Sequence, residues 1–105
     1  MSLKSDLVAA KALIDTPEKW CQGTYSIDDR SYCVLGASRK AVGLEAWTFN
    51  FNQPRYLAVY GVLQAVLPRG PYRGDVAAFN DAKRRKHSDI MALFDRAIVA
   101  AGDAS

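Results

Sequence analysis

No apolar run in the chain approaches the roughly 20 residues that a membrane-spanning helix requires, and the first segment, Ser2 to Asp15, mixes charged and apolar positions throughout. Neither a membrane anchor nor an ordinary signal peptide is expected. Cysteine is scarce: Cys21 and Cys33 are too few to scaffold a fold through disulfides, so a reducing cytoplasm is the expected compartment. The two also lack the close spacing by which structural zinc sites gather ligands, which argues against a metal held by Cys21, Cys33, Asp81 and His87. No cofactor is expected. Internal repeats, low-complexity tracts and interdomain linkers are missing too, so residues 1–105 read as a single domain.

What is present is enough apolar material for one core. Half of the 105 residues are hydrophobic and 24% are charged, the balance of a folded domain and not of a disordered chain. The net charge of +3 is unevenly placed. Residues 1–53 carry six Lys/Arg against six Asp/Glu, whereas residues 54–105 carry eight against five, four of the eight lying in Lys83-Arg84-Arg85-Lys86. An uneven distribution of this kind concerns partners, not fold.

Leu3, Leu7, Ala10 and Ile14 recur at helical spacing, with Lys4, Asp6, Lys11 and Asp15 mostly elsewhere on the wheel. This first helix should stop at Thr16, before Pro17 opens a short new turn. A loop follows over Trp20 to Arg30, with a brief extended piece at residues 24–27. A second helix is expected from about Ser31 to Val42, capped by Asp29 or Ser31, closed by Gly43 and packed through Cys33, Val34, Ala37 and Ala41. Residues 43–53 carry Trp47, Phe49 and Phe51 at alternate positions but have no partner strand, so they read as an irregular aromatic loop over the core. Pro54 begins a third helix behind Asn52 or Gln53, presenting Tyr56, Val59, Tyr60, Leu63 and Leu67 and ending at Pro68. Asp75 caps a two-turn helix through Val76 and Phe79. The last helix starts near His87 or Ser88, carries Ile90, Met91, Phe94, Ala97, Ile98 and Ala101 on one face, and is expected to close at Gly102. The expected class is all-α: a compact orthogonal bundle of four to five helices, with the second and last central.

Three pieces carry a family resemblance: Pro17-Glu18-Lys19-Trp20-Cys21-Gln22-Gly23, then Tyr32-Cys33-Val34-Leu35-Gly36-Ala37, then Phe79-Asn80-Asp81 followed five residues later by His87 and by Ala92-Leu93-Phe94-Asp95-Arg96-Ala97-Ile98. In this order they resemble a family of small uncharacterised proteins from bacteria and their phages. The chain departs from the family pattern at Phe79, where a tryptophan is usual, at Lys83-Arg84, in place of a Pro-Gly turn, and at Lys86, in place of a threonine. The family has no established activity. The resemblance therefore implies a fold, together with a phage association in which inhibition of a host or defence protein is one conceivable role.

Among candidate sites, Cys33, Asp81 (or Asn80) and His87 are the residue types of a nucleophile, an orienting group and a base, and a cysteine at a helix start has its thiolate favoured by the helix dipole. The plainer reading makes Cys33 a small buried hydrophobe and Trp20, Cys21, Asn80, Asp81 and His87 a structural polar cluster, with the Trp20 N–H on a backbone carbonyl and His87 bonded to Asn80-Asp81. The second constellation is a basic edge of Arg69, Tyr72, Arg73, Lys83, Arg84, Arg85 and Lys86, helped by Arg55, able to meet phosphates or carboxylates. A solvated loop is the plainer reading of this run as well. The expectation carried forward is a non-enzymatic binding or accessory protein whose edge at residues 69–86 meets an acidic protein surface or nucleic acid, away from any membrane. The alternative is a cysteine hydrolase or transferase. A homo-oligomer is compatible with either.

Overall fold

The computed structural model describes residues 2–48, 52–72 and 74–104. Among these residues the chain forms α1 (Leu3–Leu13), a 3-10 turn (Pro17–Lys19), β1 (Ser26–Ile27), β2 (Ser31–Tyr32), α2 (Val34–Ala41), α3 (Pro54–Ala65), α4 (Val76–Asp81) and α5 (His87–Ala104). The mainly α-helical class expected from the periodicity is the one observed.

A reciprocal pair starts α1, with Ser5 N donating to Ser2 Oγ (3.1 Å) and Ser2 N to Ser5 Oγ (2.8 Å). The face made by Leu7, Ala10 and Ile14 is wholly buried. This makes α1 a central helix, since α2 and α5 both pack along it and α3 packs on it too. Of the second and last helices, both expected to be central, α2 packs on α1, α3 and α4, whereas α5 divides its apolar face between α1 and α3. Asp6, which the wheel places among polar positions, is 6% exposed and pairs with Arg55 of α3 through Nε–Oδ2 (3.1 Å) and Nη2–Oδ1 (2.7 Å).

The second helix starts three residues later than expected. Asp28 and Asp29 both take left-handed backbone conformations (φ 54° and 57°), which short acidic side chains tolerate, and the resulting reversal pairs Ser26 with Tyr32 and Ile27 with Ser31. Residues 31 and 32 thus complete a ribbon, and the cap is neither Asp29 nor Ser31 but Cys33, whose Sγ accepts from Gly36 N (3.4 Å). Gly43, at φ +88°, closes the helix as expected.

No helix or strand forms over residues 43–48, where Ala46 is buried and Trp47 is 56% exposed; Phe49, Asn50 and Phe51 lie outside the described residues. Gln53 Oε1 caps α3 by accepting from Tyr56 N (2.7 Å), and Asp75 Oδ1 caps α4 by accepting from Ala77 N and Ala78 N. Along α5 the buried residues are Ile90, Leu93, Phe94, Ala97 and Ala101, while Met91 and Ile98 are half-covered. Gly102 does not close this helix. Glycine ends a helix by turning left-handed, and Gly102 keeps a negative φ, so the helix runs on to Ala104.

Candidate functional site

Asn80, 1% exposed, joins three separate stretches of chain. The indole N–H of Trp20 (2.8 Å) and the backbone N–H of Val34 (3.0 Å) donate to its Oδ1, while its Nδ2 donates to the Cys21 carbonyl (3.1 Å) and to Asp81 Oδ1 (2.9 Å). Neither an indole nor a peptide N–H can accept, so these two donors fix the amide orientation and the side chain's four bonding positions are all used. Around it, Gln22 Nε2 donates to the carbonyls of Asn80 (2.8 Å) and Ala82 (3.1 Å), and Gly23 N donates to Asp81 Oδ1 (2.9 Å).

Four members of the expected polar cluster therefore meet here: Trp20, Cys21, Asn80 and Asp81. The Trp20 N–H finds a side-chain amide instead of a backbone carbonyl. His87 joins only through a ring contact with Trp20 (6.3 Å between centroids), because its Nε2 is hydrogen-bonded to the Ile14 carbonyl at 2.7 Å and not to Asn80 or Asp81.

Cys33 is 5% exposed. Burial pushes its thiol above the ordinary cysteine range, outweighing the lowering effect of the Gly36 and Leu35 N–H groups. Cys21 is likewise raised by burial, against a lowering contact from Ser31. Both are protonated thiols at neutral pH, the opposite of what a helix N-terminus alone would give.

A cleft of about 240 Å³ opens beside this network, with Gly23, Tyr25, Cys33, Trp47, Asn80 and Asp81 in its lining. Tyr25 and Trp47 meet edge to face (5.3 Å, 87°), and the Arg39 guanidinium lies 4.4 Å from the centre of the Tyr25 ring. Cys33 and Asp81 share this cleft, but His87, the chain's single histidine, is not part of its lining. Two of the three residues suited to cysteine chemistry are thus together and the base is elsewhere. Among the described residues there is no cluster of three or more metal-ligating side chains, and no helix is long and apolar enough to cross a membrane.

On the basic edge, Arg69, Lys83, Arg84 and Lys86 are exposed, with Arg84 in a left-handed turn conformation (φ 66°). Arg85 faces inward. Its guanidinium lies 3.8 Å from the Phe79 ring centre and 5.6 Å from that of Tyr72, with Nε donating to the Phe79 carbonyl (2.8 Å). Tyr72 stands edge to face on Phe79 (5.1 Å, 88°) and donates its hydroxyl to the Arg69 carbonyl (3.2 Å). Arg73 lies outside the described residues, and Arg55 is engaged by Asp6.

Sequence reasoning missed the cleft walls, Tyr25 and Trp47, and the close approach that defines them. A β-carbon at Gly36 would overlap the Tyr25 carbonyl oxygen, so the first turn of α2 accepts the 24–26 backbone only because residue 36 is glycine. The available signal was a glycine, Gly36, inside the first turn of a helix.

No curated protein and no solved structure matches the chain. The model of a family of unknown function (DUF6197) matches residues 1–100, nearly the whole chain. The protein belongs to that family.

Proposed function

We propose that the protein is a non-enzymatic binding protein that meets an acidic protein surface through Arg69, Lys83, Arg84 and Lys86. The observation that carries this reading is the Arg85–Phe79–Tyr72 stack, which fastens the loop after α3 to the turn before α5 and so gathers two basic segments into one edge. Four cations on a braced edge lose less side-chain and loop entropy on docking than four on separate loops. An accessory role, in which this edge covers an acidic patch on an enzyme and inhibits it, is one form of the activity.

An acidic protein is favoured over single-stranded nucleic acid because Tyr72 is already committed. One edge contact, one cation and its hydroxyl bond hold the ring, so it does not serve as a stacking platform for a base. A cysteine-hydrolase reading has less support, since the buried thiol of Cys33 is protonated and the only imidazole is tied to Ile14.

The test is retention on immobilised poly-glutamate and on single-stranded DNA as salt is raised. The expected result is salt-sensitive binding to poly-glutamate that is lost when Arg69, Lys83, Arg84 and Lys86 are all changed to alanine. Unchanged retention of that variant removes the edge from consideration, and stronger binding to DNA at matched salt overturns the choice of partner.

A further inference from the structure

The cleft beside Asn80 has a chemistry of its own, opposite in sign to the basic edge. Its charged member is Asp81, and among the described residues no basic side chain lines it. Asp81 Oδ1 accepts from both Gly23 N (2.9 Å) and Asn80 Nδ2 (2.9 Å), which orients the carboxylate and leaves Oδ2 as an acceptor with no partner among the described residues. Asn80 cannot serve a ligand, because its amide is saturated. Cys33 offers a protonated thiol, so the interior of the cleft is weakly polar.

The second feature is aromatic. Trp47 is a large apolar side chain left 56% exposed, and it lines the same cleft as Asp81, with Tyr25 braced against it. An indole with a single orientable carboxylate in one cleft selects a planar organic cation: the ring attracts the charge to its face, and the carboxylate accepts one N–H. A volume of about 240 Å³ admits a guanidinium with a short alkyl stem. An anion would meet the Asp81 charge, and the Gly23 N–H that faces this carboxylate is already used.

The geometry points to this cleft as a binding site for an alkylguanidinium group, with Asp81 Oδ2 accepting from it and Trp47 stacking on it. The group is either a free small guanidine or an arginine side chain displayed by a peptide. The site is independent of the basic edge and stands or falls separately from it.

The experiment is a ¹H–¹⁵N titration of the intact chain with ethylguanidinium, using ethylurea as the neutral isostere and a terminally blocked Gly-Arg-Gly peptide as the second source. Saturable shifts are expected at the Gly23 amide and the Trp47 indole with the guanidinium and not with the urea. Asp81→Asn preserves an acceptor oxygen for Gly23 N and Asn80 Nδ2, so the fold is kept while affinity falls at least about tenfold, the loss expected for one charge-assisted hydrogen bond. Trp47→Leu, at an exposed position, should weaken binding with the Gly23 shift pattern otherwise intact. Tighter binding of the peptide than of ethylguanidinium assigns the group to a partner's arginine, and equal or weaker binding assigns it to a free guanidine. Equal responses to guanidinium and urea, or an affinity unaltered in Asp81→Asn, overturn the assignment.

Discussion

The carbonyl oxygen of Tyr25 rests against the bare Cα of Gly36, at a point where any side chain would begin. The same carbonyl accepts from Cys33 N (3.2 Å), so the approach is held by a hydrogen bond as well as by packing. Both groups are backbone, and neither can swing aside as the end of a flexible side chain would. Gly36→Ala should therefore cost about 3 kcal/mol or more, even though alanine is the better helix former, because relieving the overlap displaces either the ribbon or the first turn of α2. Urea unfolding measures it, and a loss below about 1 kcal/mol would mean the segment yields freely.

Asn80→Asp is the sharpest probe of the hydrogen-bonded hub. It is isosteric, and both donors to Oδ1 keep an acceptor, but the Cys21 carbonyl loses its donor and a second carboxylate is placed against Asp81. The expected destabilisation is about 3 kcal/mol, appearing as a shift in urea midpoint, with partial recovery at acid pH when the new carboxyl is protonated.

Within one tetrad of basic residues, stability and binding should separate. Arg85→Ala removes the stack on Phe79 and Tyr72 and should cost about 1–2 kcal/mol. Lys83→Ala, Arg84→Ala and Lys86→Ala should each stay within about 0.5 kcal/mol of the parent while reducing salt-sensitive retention on poly-glutamate. Thermal melts and retention together resolve the two roles.

Alkaline pH should weaken the fold. Burial, with Asp29 adding to it, pushes the Tyr32 hydroxyl up from 10.0 to about 12, and burial raises both thiols above the ordinary cysteine range. A raised acid binds its proton more tightly when folded, so these contributions are complete below pH 9 and decline above it as the unfolded chain deprotonates first. The Tyr32 share is lost between pH 10 and about 12. Tyr32→Phe should flatten the stability curve in that window, as read by urea midpoints at stepped pH.

The elements that follow from local rules were legible. Pro17, Gln53-Pro54 and Asp75 mark helix starts by chemistry that acts within a few residues, and the apolar faces of α1, α3 and α5 follow from period alone. Less visible were features set by contacts distant in sequence. Asp6 reads as a surface carboxylate until Arg55 arrives from 49 positions away, and Asn80 reads as one residue of a turn until Trp20 and Val34 converge on it. Cys33 was singled out correctly as a helix-start residue, but the burial that decides its proton affinity comes from the surrounding fold. Arg39 is the extreme case: it is buried, donates to the Ala46 carbonyl (2.9 Å) and lies over Tyr25, and nothing in its neighbours announces this.

Because Oδ1 of Asn80 receives both Trp20 and Val34 while its Nδ2 holds the Cys21 carbonyl and Asp81, no one of these bonds opens without disturbing the rest. The Gly23 amide, bonded to the same Asp81 oxygen, is included. Amide deuteration of Gly23 and Val34 should accordingly proceed at one shared opening free energy, although the two lie on different elements, and six-residue α4 acts as the latch whose release frees the whole 20–33 excursion as a unit.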